Sequence, residues 1–267
     1  MTGFSADWLS LREPYDARAR NPAVLDALAA AVANHPSIAI VDLACGTGAT
    51  LRAISSRLPP RQSWRLVDND LRLLARVASA AKEEDLVTIP IDIARDLEAA
   101  LDQPVDLVTT SALLDLVSAN WLERLAIEIS ARGLPIYAAL TYDGRVTFDP
   151  ADPVDAMIIE AVNRHQRGDK GFGPALGPTA AIEAIARFEG LNYAVVHGTS
   201  DWSLGRLDSE IQADLVAGWA TAALEGGDLI LAEIIGWLTR RRDHITSGHS
   251  SIRVGHVDFF ASQTGAR

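Results

Sequence analysis

The sequence has almost no cysteine. Cys45 is the single cysteine in 267 residues, which excludes an intrachain disulfide and any zinc site built from cysteines. No closely spaced histidine pair or calcium-loop spacing is present either, so no metal is expected. A lone cysteine is typical of a reducing compartment, and we predict a cytoplasmic protein.

Long apolar runs are also missing. The longest candidate, 229–238, is interrupted by Glu233, and the N-terminus has no basic region followed by an apolar stretch. Neither a membrane span nor secretion is therefore expected.

Basic residues are outnumbered by acidic ones. Lys and Arg total 24 against 35 Asp and Glu, a net charge of -11. A negative surface repels the phosphates of nucleic acids, so no nucleic-acid partner is expected. The local basic strip at 240–242 is typical of a solvated helix end.

Strand-like and helix-like segments alternate along much of the chain. The run S-I-A-I-V-D-L at 37–43 is typical of a strand buried on both faces, and a glycine-containing turn and a helix from Ala49 follow it. Further strands are predicted at 64–68, 86–91, 105–110 and 135–140, with helices between them. This alternation predicts an α/β fold with a doubly wound, mainly parallel seven-stranded sheet.

A loop of small residues follows the first predicted strand. It reads V-D-L-A-C-G-T-G-A-T over 41–50. Ala44, Gly46 and Gly48 allow the backbone to approach a ligand closely, and the helix that begins at Ala49 offers unpaired amides. The pattern predicts that this loop binds an anionic group.

The loop differs from a dinucleotide-binding fingerprint. Leu51 stands where G-x-G-x-x-G requires its third glycine. Asp42 would repel a diphosphate, whereas it could accept hydrogen bonds from an ammonium group. A ligand that carries an amino acid is therefore favoured.

The segment D-L-A-C-G-T-G resembles the first motif of the class I S-adenosylmethionine-dependent methyltransferases, in which an acidic residue precedes x-G-x-G-x-G. Ala44 occupies the first glycine position. The resemblance covers about 37–140 and implies a Rossmann-like methyltransferase fold, with S-adenosylmethionine as cofactor and S-adenosylhomocysteine as product. It implies that the methionine moiety is held by Asp42, Ala44, Cys45, Gly46, Thr47 and Gly48.

Acidic residues after the next two predicted strands agree with this resemblance. Asp68 is placed to bind both ribose hydroxyls, because an ionised carboxylate accepts two hydrogen bonds. The resemblance places Asp92 near the adenine amino group, with Asn69 and Ile93 beside the sugar and the base. Either acid could instead cap the following helix, but their occurrence after successive strands favours a ligand.

Two further segments are predicted to border the cofactor. Arg18, together with Arg12 and Tyr15, could close over the cofactor carboxylate, since guanidinium groups pair with carboxylates in bidentate fashion. A solvated helix face is the alternative. Ser111 and Asp115 follow the fourth strand, where the family turns toward the bound methyl group.

The candidate catalytic and substrate residues lie after the fourth and fifth predicted strands and on a glycine-rich stretch. A general base is needed only where the acceptor must lose a proton, and the candidates are Asp115, Tyr142 and His165. The glycine-rich stretch 163–178 is the candidate lid, and the predicted substrate residues are Asp143, Gln166, Lys170 and Phe172. An ordinary surface loop is the alternative.

The chain is predicted to form one domain, 1–267. It comprises an N-terminal helical cap (1–36), a cofactor-binding core (37–142), an insertion or lid after the fifth strand (143–178) and a C-terminal part (179–267). Polar and apolar residues alternate in its last strand, 251–259, which predicts an antiparallel strand at the edge of the sheet.

We therefore predict an enzyme that transfers a methyl group from S-adenosylmethionine to a small-molecule acceptor by in-line displacement. The N-P-P-Y and D-P-P-Y sequences of enzymes that methylate nucleobases and glutamine side chains are absent. An RNA or protein methyltransferase, a non-catalytic cofactor-binding regulatory protein and a nicotinamide dehydrogenase remain alternatives. Oligomeric state and acceptor atom are left open.

Overall fold

The computed structural model describes residues 4–80 and 85–264. Its helices are α1 Ala6–Ala19, α2 Pro22–Val32, α3 Ala49–Ile54, α4 Leu71–Ala80, α5 Leu97–Ala100, α6 Ala119–Arg132, α7 Asp155–Gln166, α8 Ala180–Gly190, α9 Ser209–Gly226 and α10 Leu231–Thr246. Its strands are β1 Ile38–Leu43, β2 Gln62–Asp68, β3 Leu86–Pro90, β4 Leu107–Ser111, β5 Ile136–Asp149, β6 Tyr193–Thr199, β7 Trp202–Leu204 and β8 Ser251–Gln263.

The strands form one mainly parallel sheet in the order β3-β2-β1-β4-β5-β8-β6. Pairing is parallel from β3 to β5, and β8 lies antiparallel between β5 and β6. The predicted doubly wound α/β fold is confirmed. The predicted count of seven strands is wrong for the described residues, because the three-residue β7 pairs with the first half of β8 as an eighth strand.

The last strand is not at the sheet edge, contrary to the sequence-based prediction. Its second half is buried on both faces: Phe259 packs on Phe188 of α8, with ring centroids 5.9 Å apart, and Phe260 joins the cluster formed with α2. The polar alternation that suggested an edge occurs only where β8 passes beyond the parallel strands.

Strand β5 is longer than its apolar run predicts. The expected strand ends at Leu140, but β5 continues to Asp149 because it pairs with the first half of β8, for example Phe148 with Ile252. Tyr142 and Asp143, expected beyond the strand, therefore lie within it. The predicted insertion at 143–178 thus begins inside β5.

Two apolar layers enclose the sheet. Val41 and Leu43 face one layer with α6 and α8, whereas Ile38 and Ile40 face the other with α2. This burial on both faces is the one predicted for the first strand. No helix in the described ranges is long and apolar enough to cross a membrane.

A third apolar cluster lies beneath the insertion. Helices α7, α9 and α10 pack with the extended parts of β5 and β8 around Trp237, which is fully buried. Trp8 and Tyr15 of α1 contact the same cluster. Helix α1 therefore bridges the sheet and the insertion, and it forms a wall of the cleft between them.

Candidate functional site

A cleft of about 1710 Å³ opens at the carboxyl ends of the parallel strands. Its walls come from the loop after β1, the turns after β2, β3 and β4, helix α1 and the glycine-rich part of the insertion. Ligands of open α/β sheets bind at this edge. The predicted site residues that line the cleft are Ala44, Cys45, Gly46, Thr47, Asp68, Asn69, Asp92, Ile93, Ser111, His165, Gln166, Lys170 and Phe172.

The loop after β1 has an unusual backbone. Ala44, Gly46 and Gly48 have φ values of 53°, 55° and 80°, a left-handed region that glycine adopts readily and alanine does not. A Cβ atom added to Gly46 would lie 3.3 Å from Leu9 Cδ1 of α1. Gly48 caps α3 and is not part of the cleft wall.

Asp42 lies beneath the loop and does not line the cleft. It is fully buried, and its Oδ1 accepts a hydrogen bond of 2.7 Å from the Thr109 hydroxyl. Burial raises the pKa of Asp42 to about 7, although the Thr109 hydrogen bond and the charge of Arg20 act against this rise. Asp42 therefore supports the loop from below.

Asp68 joins the end of β2 to the loop. Its two oxygens accept hydrogen bonds from the amides of Gly46, at 2.8 Å, and Asp70, at 2.9 Å. Each carboxylate oxygen has two lone pairs, so the group can still accept hydrogen bonds from a ligand in the cleft. Asp70, in contrast, accepts a hydrogen bond from the Arg72 amide and caps the start of α4.

The turn after β3 is tied to the insertion. Asp92 accepts a hydrogen bond from the Ala94 amide at 3.1 Å, and its side chain is 42% exposed. The Trp121 indole donates to the Ile93 carbonyl at 2.7 Å, and its ring packs edge-on against Phe172 at 5.2 Å. These contacts hold the β3 turn and the glycine-rich loop on the same side of the cleft.

Helix α1 presents Arg12 and Asp16 to the cleft, but not Arg18. Residues 12 and 16 share a helix face, whereas Arg18 lies two positions further on and points away. Its side chain is 62% exposed, and it stacks over the Tyr15 ring at 4.6 Å. The structure therefore does not bring Arg18 to the cleft.

Arg12 and Asp16 form a bidentate pair, with Nε to Oδ2 at 2.9 Å and Nη2 to Oδ1 at 3.1 Å. The Trp202 indole donates to Asp16 at 3.0 Å, and the Arg12 guanidinium lies 5.0 Å from the Trp202 ring centroid. This part of α1 is therefore held rigidly against β7.

Tyr142, Asp143 and Asp115 lie off the cleft wall. The Tyr142 hydroxyl donates to Asn163 at 2.8 Å, and Asp143 pairs with Arg145 at 2.7 Å. Both positions follow from the extension of β5. Asp115 is buried in the turn after β4, burial raises its pKa to about 6, and its Oδ1 has no hydrogen-bond partner in the described part of the chain.

A histidine of the insertion pairs with a carboxylate of α9. His165, in the last turn of α7, has its Nε2 2.9 Å from Oε2 of Glu225 in α9, and both residues line the cleft. The following loop is ordered by Asp169, whose carboxylate accepts from the amides of Gly171 and Gly173. Lys170 lines the cleft with no ion pair to any described residue.

Two residues near the cleft are not identifiable from the sequence. Glu225 meets His165 only because α7 packs on α9. Arg20 is buried, and arginine is normally an exposed residue. Its Nη1 donates to the Tyr137 hydroxyl at 3.0 Å and its Nη2 to Ser111 Oγ at 3.3 Å.

The rest of the described structure offers a further cavity and no metal site. Within residues 4–80 and 85–264, no three His, Cys, Asp or Glu side chains come together as a metal site. A second cavity of about 840 Å³ lies between the extension of β5 and α7, lined in part by Arg145, Asn163 and Arg167.

The sequence matches no family model and no curated protein. Solved structures share its fold at low identity. A cyclopropane synthase from Mycobacterium tuberculosis has 12% identical residues and a TM-score of 0.52, over 97% of this chain and 95% of that chain. A cyclopropane-fatty-acyl-phospholipid synthase-like protein from Lactobacillus casei has 12% identity and a TM-score of 0.51, over 97% and 94%.

A third similar structure, from Bacillus halodurans, carries a provisional assignment as a methyltransferase. It has 12% identical residues and a TM-score of 0.50, over 90% of this chain and 99% of that chain. These matches extend over nearly the whole length of each protein, and the strand order agrees with the predicted doubly wound sheet. The chain therefore has the Rossmann-like fold of the class I methyltransferases.

Proposed function

We propose that this protein is an S-adenosylmethionine-dependent methyltransferase that acts on a small molecule. The observation that carries the proposal is the cleft wall, where the small-residue loop at 44–48 lies beside carboxylates from the ends of β2 and β3. Such a wall offers separate partners for an aminoacyl group, a ribose and an adenine.

The residues present fit this cofactor. Gly46 adopts a left-handed conformation without a side chain, so a ligand can approach the backbone there. Asp68 would hold the ribose hydroxyls, Asp92 the adenine amino group, and Cys45 and Thr47 the methionine moiety. The cleft exceeds the roughly 300–1,000 Å³ of a usual ligand pocket, which leaves room for a second molecule.

When bound, S-adenosylmethionine supplies an electrophilic methyl group. The chain's own residues must then orient the acceptor, exclude water and, for a hydroxyl or ammonium acceptor, remove a proton. The provisional assignment of the Bacillus halodurans structure supports the same reaction class.

His165 is the proposed general base. One imidazole nitrogen faces the Glu225 carboxylate, an arrangement that fixes the ring and leaves the other nitrogen to accept a proton. Tyr142 and Asp115 were also predicted to be catalytic, but neither lines the cleft. His165 is the only one of the three candidates that does.

The acceptor is proposed to bind beside this pair. Gln166, Lys170 and Phe172 come from the same segment as His165 and line the same cleft, whereas Asp143 lies outside it. This segment is the proposed lid of a single-domain protein.

Because the lone Cys45 is typical of a reducing environment, we propose that the protein acts in the cytoplasm.

The proposal is tested by incubating the protein with methyl-labelled S-adenosylmethionine and a fractionated cell extract. We expect label in a low-molecular-weight compound. Label confined to RNA or protein would replace the small-molecule acceptor with a macromolecular one. Cofactor binding without transfer to any fraction would favour a regulatory protein.

A further inference from the structure

Arg20 is a buried cation that the proposed function does not use. The residue is 6% exposed, and its Nε has no hydrogen-bond partner in the described part of the chain. It also forms no ion pair there: its guanidinium contacts the hydroxyls of Tyr137 and Ser111 rather than a carboxylate. Burying a charge this way is unfavourable, and a structural contact alone does not require it.

The position of Ser111 connects this buried charge to the cleft. Ser111 ends β4, directly after Thr110, which pairs with Leu43 at the end of β1. Ser111 therefore lies next to the start of the loop that contains Ala44, and both residues line the cleft. Because Ser111 Oγ accepts a hydrogen bond from Arg20, its own hydrogen is available to donate to a ligand.

Three carboxylates interact electrostatically with Arg20 at longer range. Asp16 lies on the cleft wall, Asp42 lies beneath the loop, and Asp258 accepts hydrogen bonds from the Leu140 and Asn21 amides. Arg12, which also lines the cleft, is already paired with Asp16, so without Arg20 the remaining charge at this end of the cleft would be negative and would repel an anion. With Arg20, the Ser111 hydroxyl is polarised toward a negatively charged acceptor.

We propose that Arg20, acting through the Ser111 hydroxyl, is the positioning residue that makes this end of the cleft select a ligand carboxylate. The inference rests on the proposed function, since the carboxylate is that of the cofactor's aminoacyl group. Arg18, one of the sequence-based candidates for this role, points away, and Arg20 acts from behind the cleft wall.

Titration calorimetry with two ligands tests the proposal. S-adenosylhomocysteine and its decarboxylated analogue differ only in the carboxylate, and both retain the ammonium group. Arg20→Met should weaken binding of S-adenosylhomocysteine by about tenfold, the size expected of a hydrogen bond to a charged group, and leave the analogue within about twofold. Arg20→Lys should restore part of the difference.

Ser111→Ala provides a second route, because it removes the hydroxyl and leaves the buried arginine in place. It should reduce the preference for S-adenosylhomocysteine in the same way. Arg241→Lys is the matched control: Arg241 is fully buried, pairs with Asp155 and lies away from the cleft, so its loss should lower stability and leave the preference unchanged.

An unchanged ratio of the two affinities in both Arg20→Met and Ser111→Ala would overturn the inference. Equal weakening of both ligands would do the same, because it would assign Arg20 a purely structural role. Failure of the wild-type protein to bind S-adenosylhomocysteine would overturn the proposed function and the inference with it.

Discussion

Ala44 occupies a backbone conformation that suits glycine. Its φ of 53° places its Cβ against the following carbonyl oxygen, which costs an L-residue roughly 1–2 kcal/mol. Ala44→Gly should therefore raise the free energy of unfolding by about 1 kcal/mol, measured by urea denaturation. Backbone strain of this kind is common at functional sites.

A second alanine provides the control. Ala217 lies in the middle of α9, where helical geometry favours alanine over glycine. Ala217→Gly should lower stability by about 1 kcal/mol. Equal destabilisation by both substitutions would show that the loop conformation at Ala44 is not strained.

Asp42 should make stability depend on pH. Burial raises its pKa to about 7 in the folded protein, from a usual value of 3.8. Between these values the folded state binds the additional proton, so this carboxyl's contribution favours folding at acid pH and is lost as the pH rises toward 7. The wild-type protein should therefore lose stability relative to Asp42→Asn between about pH 4 and 7.

Urea denaturation of both proteins across this range measures the effect. Asp115 and Asp258 also have pKa values raised by burial, and the comparison cancels their contributions because both proteins contain them. A difference in stability that does not change with pH would contradict the account of Asp42.

At the scale of secondary-structure elements, helix α7 brings the proposed base to its partner. His165 and Glu225 are 60 residues apart and meet only through the packing of α7 on α9. Glu225→Gln should lower kcat by at least about tenfold, because the imidazole loses the carboxylate that orients it. The readout is transfer of labelled methyl groups to the acceptor.

Glu160→Gln is the matched control for this prediction. Glu160 is a carboxylate on α7, the helix that carries His165, but it pairs with Arg164 and lines the second cavity rather than the cleft. Its substitution should leave kcat unchanged. If Glu225→Gln retains full activity, His165 is not oriented by this pair.

Helix α1 is held over the loop by an exposed ion pair. Arg52 donates to Glu13 at 2.7 Å and to the Thr47 carbonyl at 2.7 Å. Exposed pairs contribute about 1 kcal/mol or less, so Glu13→Gln should speed amide hydrogen exchange in α1 by about fivefold at most. Asp26→Asn, which breaks the Arg57 pair on α2, should leave α1 unchanged.

Local sequence signals account for the elements that could be predicted. Neighbouring residues are enough to specify β1, with its β-branched run, and the small-residue loop after it. The same is true of the start of α2 at Asn21-Pro22, where the Asn21 side chain accepts hydrogen bonds from the Ala23 and Val24 amides. The first strand and the loop after it were found where the sequence placed them.

Long-range pairing accounts for those that could not be predicted. The extension of β5 depends on β8, about a hundred residues later in the chain. The Arg240 to Arg242 strip looks like a solvated helix end, but Arg241 is fully buried against Asp155. Nothing near either residue in the sequence signals this pair.

At the scale of the whole molecule, most of the predicted cofactor residues line one cleft because the parallel sheet brings consecutive strand ends to one edge. Asp68 and Asp92 are separated by a helix in sequence and share a cleft in the fold. No such topological rule positions the residues proposed to bind the acceptor, because their positions depend on how the insertion packs. Its residues divide accordingly: His165, Gln166 and Lys170 line the cleft, whereas Tyr142 and Asp143 do not.

Calorimetry with S-adenosylhomocysteine tests the central claim most directly. The wild-type protein should bind one molecule per chain, and Asp68→Ala should weaken this binding at least about tenfold, because it removes the carboxylate proposed to hold the ribose and the anchor of the Gly46 amide. Binding of neither S-adenosylhomocysteine nor S-adenosylmethionine by the wild-type protein at millimolar concentration would contradict the account.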